Sequence, residues 1–197
     1  MRNIKKYLVI SSIDLILLIP LIFGVFIQYV IIREINLPIL LGIVISLSLT
    51  LLLSKAIQEY GFKKSTLEMM KNHDVTATFL EMEHKSILFL FFPLTMLMEE
   101  LIFRFYLIGI MVIVLNFEPI ITILISSLIF SIYHLHFWFR FKNGRITIIY
   151  MFSSFVLGLF LSFTLMTLGL IFCIAFHFSL ALLMYYGLAK KIRSGSQ

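Results

Sequence analysis

Charge is what this chain has least of. Only 13% of its 197 residues are Asp, Glu, Lys or Arg, against 61% hydrophobic, and the mean hydropathy is +1.07. Soluble globular domains carry about a quarter charged residues, so a soluble domain is excluded. Cysteine is nearly absent: Cys173 stands alone in an apolar segment, which excludes an intrachain disulfide and leaves the redox compartment unread. Long polar stretches are missing too. The one sizeable polar segment is about 59–86, and the turns "REINLP" and "NFEP" are short, leaving little material for a soluble domain on that side. The net charge of +6 does not point to nucleic acid, because the basic residues follow membrane topology rather than one stripe.

Long apolar runs are what the chain has instead. A helix needs roughly 20 mostly apolar residues to cross the hydrocarbon core, and six such segments stand at about 7–32, 37–58, 87–116, 119–139, 146–166 and 168–189. The expected fold is all-α: a polytopic membrane helix bundle of about six spans, one membrane domain over 1–197 with a motif core at about 87–189. "MRNIKKY" and the run after it lack a small-residue cleavage site, and the run is too long for a secretory signal, so it reads as the first span. Arg2, Lys5 and Lys6, then Lys55, Lys63, Lys64, Lys71 and Lys85, then Arg140, Lys142 and Arg145, then Lys190, Lys191 and Arg193 all fall on one side. Arg33 is opposite and Arg104 is inside the membrane. The positive-inside rule then puts both termini in the cytoplasm of a multi-pass integral membrane protein.

Within 59–86, Ser65 and Glu68 have capping-box spacing, and Leu67, Met69, Met70, Val75, Phe79 and Met82 supply an apolar side. The segment reads as an interfacial helix or as a disordered linker. His73 and His84 are expected to be solvated there, and Asp14, early in the first span, to reach interfacial water or Lys5 and Lys6.

Ionisable groups in lipid cost several kcal/mol and usually face a protein interior or a wet cavity. Glu99, Glu100 and Arg104 lie in "LTMLMEELIFRFYLIGIM". Glu100 and Arg104 are spaced i, i+4 and compensate each other. Glu99 projects about 100° round the helix from Glu100 and has no local partner. Two histidines sit in other spans: His134 in "SSLIFSIYHLHFW" and His177 in "IAFHFSLALL". Converging Glu and His form either a general base that activates water or a metal-ligand set. His136, two residues beyond His134, points away and reads as structural.

At these residues the sequence resembles the CPBP family of intramembrane proteases, which includes type II CAAX prenyl endopeptidases and bacterial Abi, or bacteriocin-processing and immunity, proteins. The E-E-x-x-x-R motif is matched by Glu99, Glu100 and Arg104, and F-x-x-x-H by Phe130 and His134. "FVLGLFLS" with Gly158 is similar to the family's glycine-containing helix. H-x-x-x-N is half matched, by His177 with Ala181 in the Asn position. The resemblance implies that Glu99 is the general base, that His134 assists it, and that Glu100 and Arg104 support the site. It implies that His177 stabilises the oxyanion, and that the mechanism needs no metal or other cofactor. Zinc at Glu99, His134 and His177 is the alternative. The implied partner is a membrane-associated protein or peptide, CAAX-type and prenylated or otherwise, met from the cytoplasmic side of the bilayer.

Ala181 puts the activity in question, since one lost oxyanion donor costs about 10²–10³ in kcat. Other readings therefore stay open. One is a weakened family member acting in bacteriocin immunity or membrane regulation. Another is a proton or ion relay through the same groups, and a last one is a structural protein whose polar groups join helices.

Overall fold

The computed structural model describes residues 2–31, 35–81 and 87–194, all helical or in short connections. Arg33, Met82, His84 and Lys85 lie outside the described residues. The first helix, α1 (Arg2–Ile22), ends well before the expected 32. Pro20 lies in its last turn, and Gly24 and Phe26 then take left-handed backbone, reversing the chain. A proline removes a helical N–H and a left-handed residue breaks the repeat, so the apolar run outlasts the helix.

Helix α2 (Leu37–Ala56) starts where the Asn36 side chain accepts from the Ile39 N–H at 3.0 Å, with Pro38 in the first turn, a standard N-cap. It continues to Gly61 in wider π winding. The polar segment is two short helices, α3 (Lys64–Met70) and α4 (Asp74–Glu81). The capping box does not form: Lys63 is the N-cap, and Glu68 pairs with Lys71 at 2.7 Å. Both helices turn apolar residues inward, and Met70 and Val75 are buried in a cluster with Phe62, Tyr150, Tyr185 and Leu188. The segment is thus neither linker nor lipid-facing helix but a cap folded against the last helix.

A long helical run, α5 (87–114), mixes α and π winding. Its α part Phe92–Glu100 carries both glutamates, and a π stretch, Leu101–Tyr106, carries Arg104. Such widened turns recur at functional sites. Helix α6 (Pro119–Tyr133) stops at a turn through His134 and Leu135, and α7 (His136–Phe141) follows it. Helix α8 (Gly144–Leu168) is capped by Asn143 and joined to α9 (Leu170–Ser194) through Gly169. At φ +86°, a Cβ there would lie 2.9 Å from the Val30 carbonyl oxygen, so only glycine fits this junction.

The most extensive helix pair is α6 with α8. Gly158 makes their approach close: a Cβ there would meet the Ser127 backbone at 3.0 Å. Small residues are how membrane helices approach, because lipid supplies no hydrophobic drive between them. Ser126 donates to the Phe103 carbonyl at 2.6 Å and Ser131 to the Met151 carbonyl at 2.7 Å, tying α5, α6 and α8 together. The Tyr106 hydroxyl donates to the Leu17 carbonyl and holds α1. Among the described residues, four helices are long and apolar enough to cross a membrane: Leu37–Gly61, Pro119–Phe141, α8 and α9. The α5 run is also long but carries Glu99, Glu100 and Arg104, and the apolar part of α1, Tyr7–Ile22, is shorter. The fold is a polytopic helical membrane bundle with its ionisable groups turned inward.

Candidate active site

The first motif is built on α5 and completed by α9. Glu100 and Arg104 are fully buried, and their ion pair spans 3.3 Å. It is not an aligned hydrogen bond, and the three guanidinium nitrogens have no hydrogen-bond partner among the described residues. The guanidinium instead lies 3.7 Å above the centre of the Phe130 ring, a cation–π contact strengthened by burial. The local pair expected from the sequence is present, but it is only part of what Glu100 does.

Glu100 Oε1 accepts from His177 Nδ1–H at 2.6 Å, and Oε2 accepts from the Cys173 thiol at 2.8 Å. The carboxylate is held at both oxygens. This ties the first motif to the third, and it fixes the His177 tautomer: with Nδ1 donating to Glu100, Nε2 is turned toward Glu99 Oε2 at 3.8 Å. Glu99 is buried, yet that Oε2 has no hydrogen-bond partner among the described residues. Its expected lack of a local excuse holds in three dimensions.

His134 is fixed in the same way from the second motif. Its Nδ1 lies 2.9 Å from the Phe130 carbonyl. A carbonyl can only accept, so the proton is on Nδ1 and the Nε2 lone pair is left for other partners. The Phe130 ring stands edge-on to both histidines, at 4.7 Å from His134 and 5.7 Å from His177 between ring centres. This explains why the motif begins with an aromatic residue: one side chain walls Arg104, His134 and His177, while its carbonyl sets a tautomer.

Glu99, His134 and His177 line one cavity of about 670 Å³, bounded by α1, α2, α5, α8, α9 and the cap. His134 lies at a turn between α6 and α7 rather than inside an unbroken helix. The same turn corrects the expectation for His136, whose ring lies 5.6 Å from that of His134 and lines the same cavity. Ala181 is 8% exposed and also faces the cavity, so the position lacks a side-chain donor where one would count.

Five other residues join this surface without having been expected. His73, read as solvated, is only 9% exposed. It stacks on Tyr185 at 4.7 Å, with its Nε2 3.2 Å from the Tyr185 hydroxyl. Tyr150, Tyr185 and the Asp74–Arg140 ion pair, at 2.9 Å, line the cavity toward the cap. One signal for this was in the sequence: Cys173, His177, Ala181 and Tyr185 recur every four residues, one face of a helix. Nothing local marked His73, which is brought inward only by the folding of α3 and α4. Asp14 is buried rather than interfacial, and neither carboxyl oxygen has a hydrogen-bond partner among the described residues.

Among the described residues, no three His, Cys, Asp or Glu side chains are grouped so as to hold a metal ion. The sequence model for the type II CAAX prenyl endopeptidase Rce1-like family matches residues 83–183, just over half of the chain. No curated protein and no solved structure matches. The matched stretch takes in every motif position from Glu99 to Ala181, and on that match the chain belongs to the Rce1-like type II CAAX prenyl endopeptidases, a family of membrane proteases.

Proposed function

We propose that the chain is an active intramembrane endopeptidase in which Glu99 takes a proton from the attacking water without help from a metal. The observation that carries this reading is Glu99 on the cavity wall, with an Oε2 that has no hydrogen-bond partner among the described residues and lies 3.8 Å from His177 Nε2. A general base must not be consumed by structural bonds, and of the two adjacent glutamates it is Glu100 whose oxygens are both held, by His177 and Cys173, which supports Glu99 for the role. His134 offers its Nε2 lone pair to the same cavity and orients the water. Glu100, with Arg104 and Cys173 around it, keeps His177 aimed at the reacting carbonyl.

The walls supplied by α1, α2, α5 and α9, among them Ile10, Leu51, Phe92, Met96 and Leu180, suit a substrate with a lipid-like group. We take this to be a prenylated C-terminal peptide. The charged end at Lys5, Asp74 and Arg140 is where the peptide would pass in, and the distribution of Lys and Arg makes that end cytoplasmic. With Ala181 in the family's Asn position, turnover is slow by about 10²–10³ relative to a site with both oxyanion donors. Ala181 also favours a second reading, a family member that binds such a peptide without cutting it, as in immunity or regulation.

The test is cleavage of a farnesylated C-terminal peptide by the purified chain in detergent, beside the unprenylated peptide and with a chelator present. The proposal expects the farnesylated peptide to be cut, chelator or not. Cleavage abolished by chelator and restored by zinc would replace the metal-independent mechanism. Binding without cleavage would establish the second reading.

A further inference from the structure

Proton accounting around His177 leads one step further. Its Nδ1–H is committed to Glu100 Oε1 at 2.6 Å, and the other oxygen of that carboxyl is held by the Cys173 thiol at 2.8 Å. Across the ring, Nε2 faces Glu99 Oε2 at 3.8 Å. With Nδ1 already protonated, Nε2 and a Glu99 carboxylate are both acceptors and stand 3.8 Å apart without a hydrogen bond, so one proton added to the pair turns a repulsive contact into an attractive one. Held by Glu99, that proton disables the base. Held by His177, it leaves Glu99 free to take a proton from water and puts a donor on Nε2 of a side chain that lines the same cavity. Glu100 and Arg104 complete the arrangement, because the buried carboxylate stabilises the imidazolium as a triad carboxylate does.

Resting on the endopeptidase reading above, we infer that His177 is the general acid of the reaction and delivers its Nε2 proton to the leaving amine, with Glu100 and Cys173 as its positioning residues. The steps balance. Water oxygen bonds to the scissile carbonyl carbon while one water proton passes to Glu99. The tetrahedral intermediate then re-forms its C=O, the C–N bond breaks, and the amine nitrogen takes the Nε2 proton. The Glu99 carboxyl finally returns its proton to His177 Nε2, which stands 3.8 Å away, by way of one water, and both groups are reset. This gives His177 a use that does not need the Asn missing at Ala181, because a proton transferred to nitrogen relieves the same negative charge that the oxyanion donor would have held.

An amide leaving group needs that proton, whereas an ester leaving group departs largely without it. The experiment uses the full chain in detergent with two probes: a farnesylated C-terminal peptide and its depsipeptide, in which the scissile amide is an ester. The amide-to-ester rate ratio is read within each preparation, so the folded fraction cancels. His177→Ala is expected to slow the amide by about 10²-fold or more and the ester by a factor at least about tenfold smaller. Glu100→Gln and Cys173→Ala are expected to lower the same ratio, and Cys173→Ser, which keeps a donor, to restore it. Equal losses on amide and ester would overturn the inference and leave His177 as an oxyanion donor. Glu99→Gln separates the two levels: it should stop both probes, and if it stops neither, the Glu99 base assignment of the proposed function fails, not only the role of His177. A wild-type chain that cuts neither probe would overturn both.

Discussion

Leu37–Gly61 and α8 are equally long and almost equally apolar, with mean hydropathies of 2.4 and 2.1 over an 18-residue stretch of each, yet 11% of that stretch is buried in the first and 44% in the second. Their small polar residues explain the difference. In α2, Ser46, Ser48 and Thr50 donate to carbonyls of their own helix, so they cost lipid exposure little and recruit no neighbour. In α8, Gly158 lets the Ser127 backbone approach, and Ser162 lies 3.5 Å from Ser126. Large side chains such as Leu41, Ile45 and Leu52 stay exposed on α2, the face a bilayer covers. Hydropathy says that a helix enters the membrane; the placement of small and polar residues says which helix builds the interior that can hold a charge.

That contrast can be sharpened or broken by substitution. The largest effect should come from adding a polar group on the inner side. Ala181→Asn restores a donor beside His177 and should raise the peptidase kcat by about 10-fold or more; an unchanged rate would mean that position 181 does not reach the oxyanion. Gly158→Leu forces α6 from α8 and should lower stability by about 1–3 kcal/mol, read as a drop in the thermal midpoint in detergent. Tyr185→Phe removes the hydroxyl that meets His73 and should cost about 1 kcal/mol, with the cap around α3 and α4 becoming the first region to gain protease sensitivity. On the other side of the comparison, Leu52→Ala on the exposed face of α2 should change stability by less than about 0.5 kcal/mol. A Leu52 effect as large as that of Gly158 would show that this exposed face of α2 is packed against something, and the contrast would fall.

The sequence was most readable where chemistry and helix periodicity coincide. Glu99, Glu100, Arg104, His134 and His177 stood out as ionisable groups in apolar surroundings, and Glu99 was separable from Glu100 because only Glu100 has an i+4 partner. The bonds between motifs were not readable. Glu100 reaches across to His177 and Cys173 on α9, a contact set by tertiary packing, and a lone cysteine in an apolar run carries no mark of it. His136 was misjudged because an unbroken helix was assumed where the chain turns after Tyr133. His73 was misjudged because its neighbours are polar and only the folding of the cap buries it. The first span was drawn too long although Pro20 and Gly24 were there to end it, since an apolar run continues regardless of backbone geometry.

The central claim is that Glu99, and not its neighbour, supplies the base. It is tested most directly by giving a farnesylated C-terminal peptide to the wild-type chain and to Glu99→Gln in proteoliposomes and measuring the released C-terminal fragment by mass spectrometry. The account predicts fragment from the wild type and none above background from Glu99→Gln. Fragment released by Glu99→Gln at the wild-type rate would contradict it.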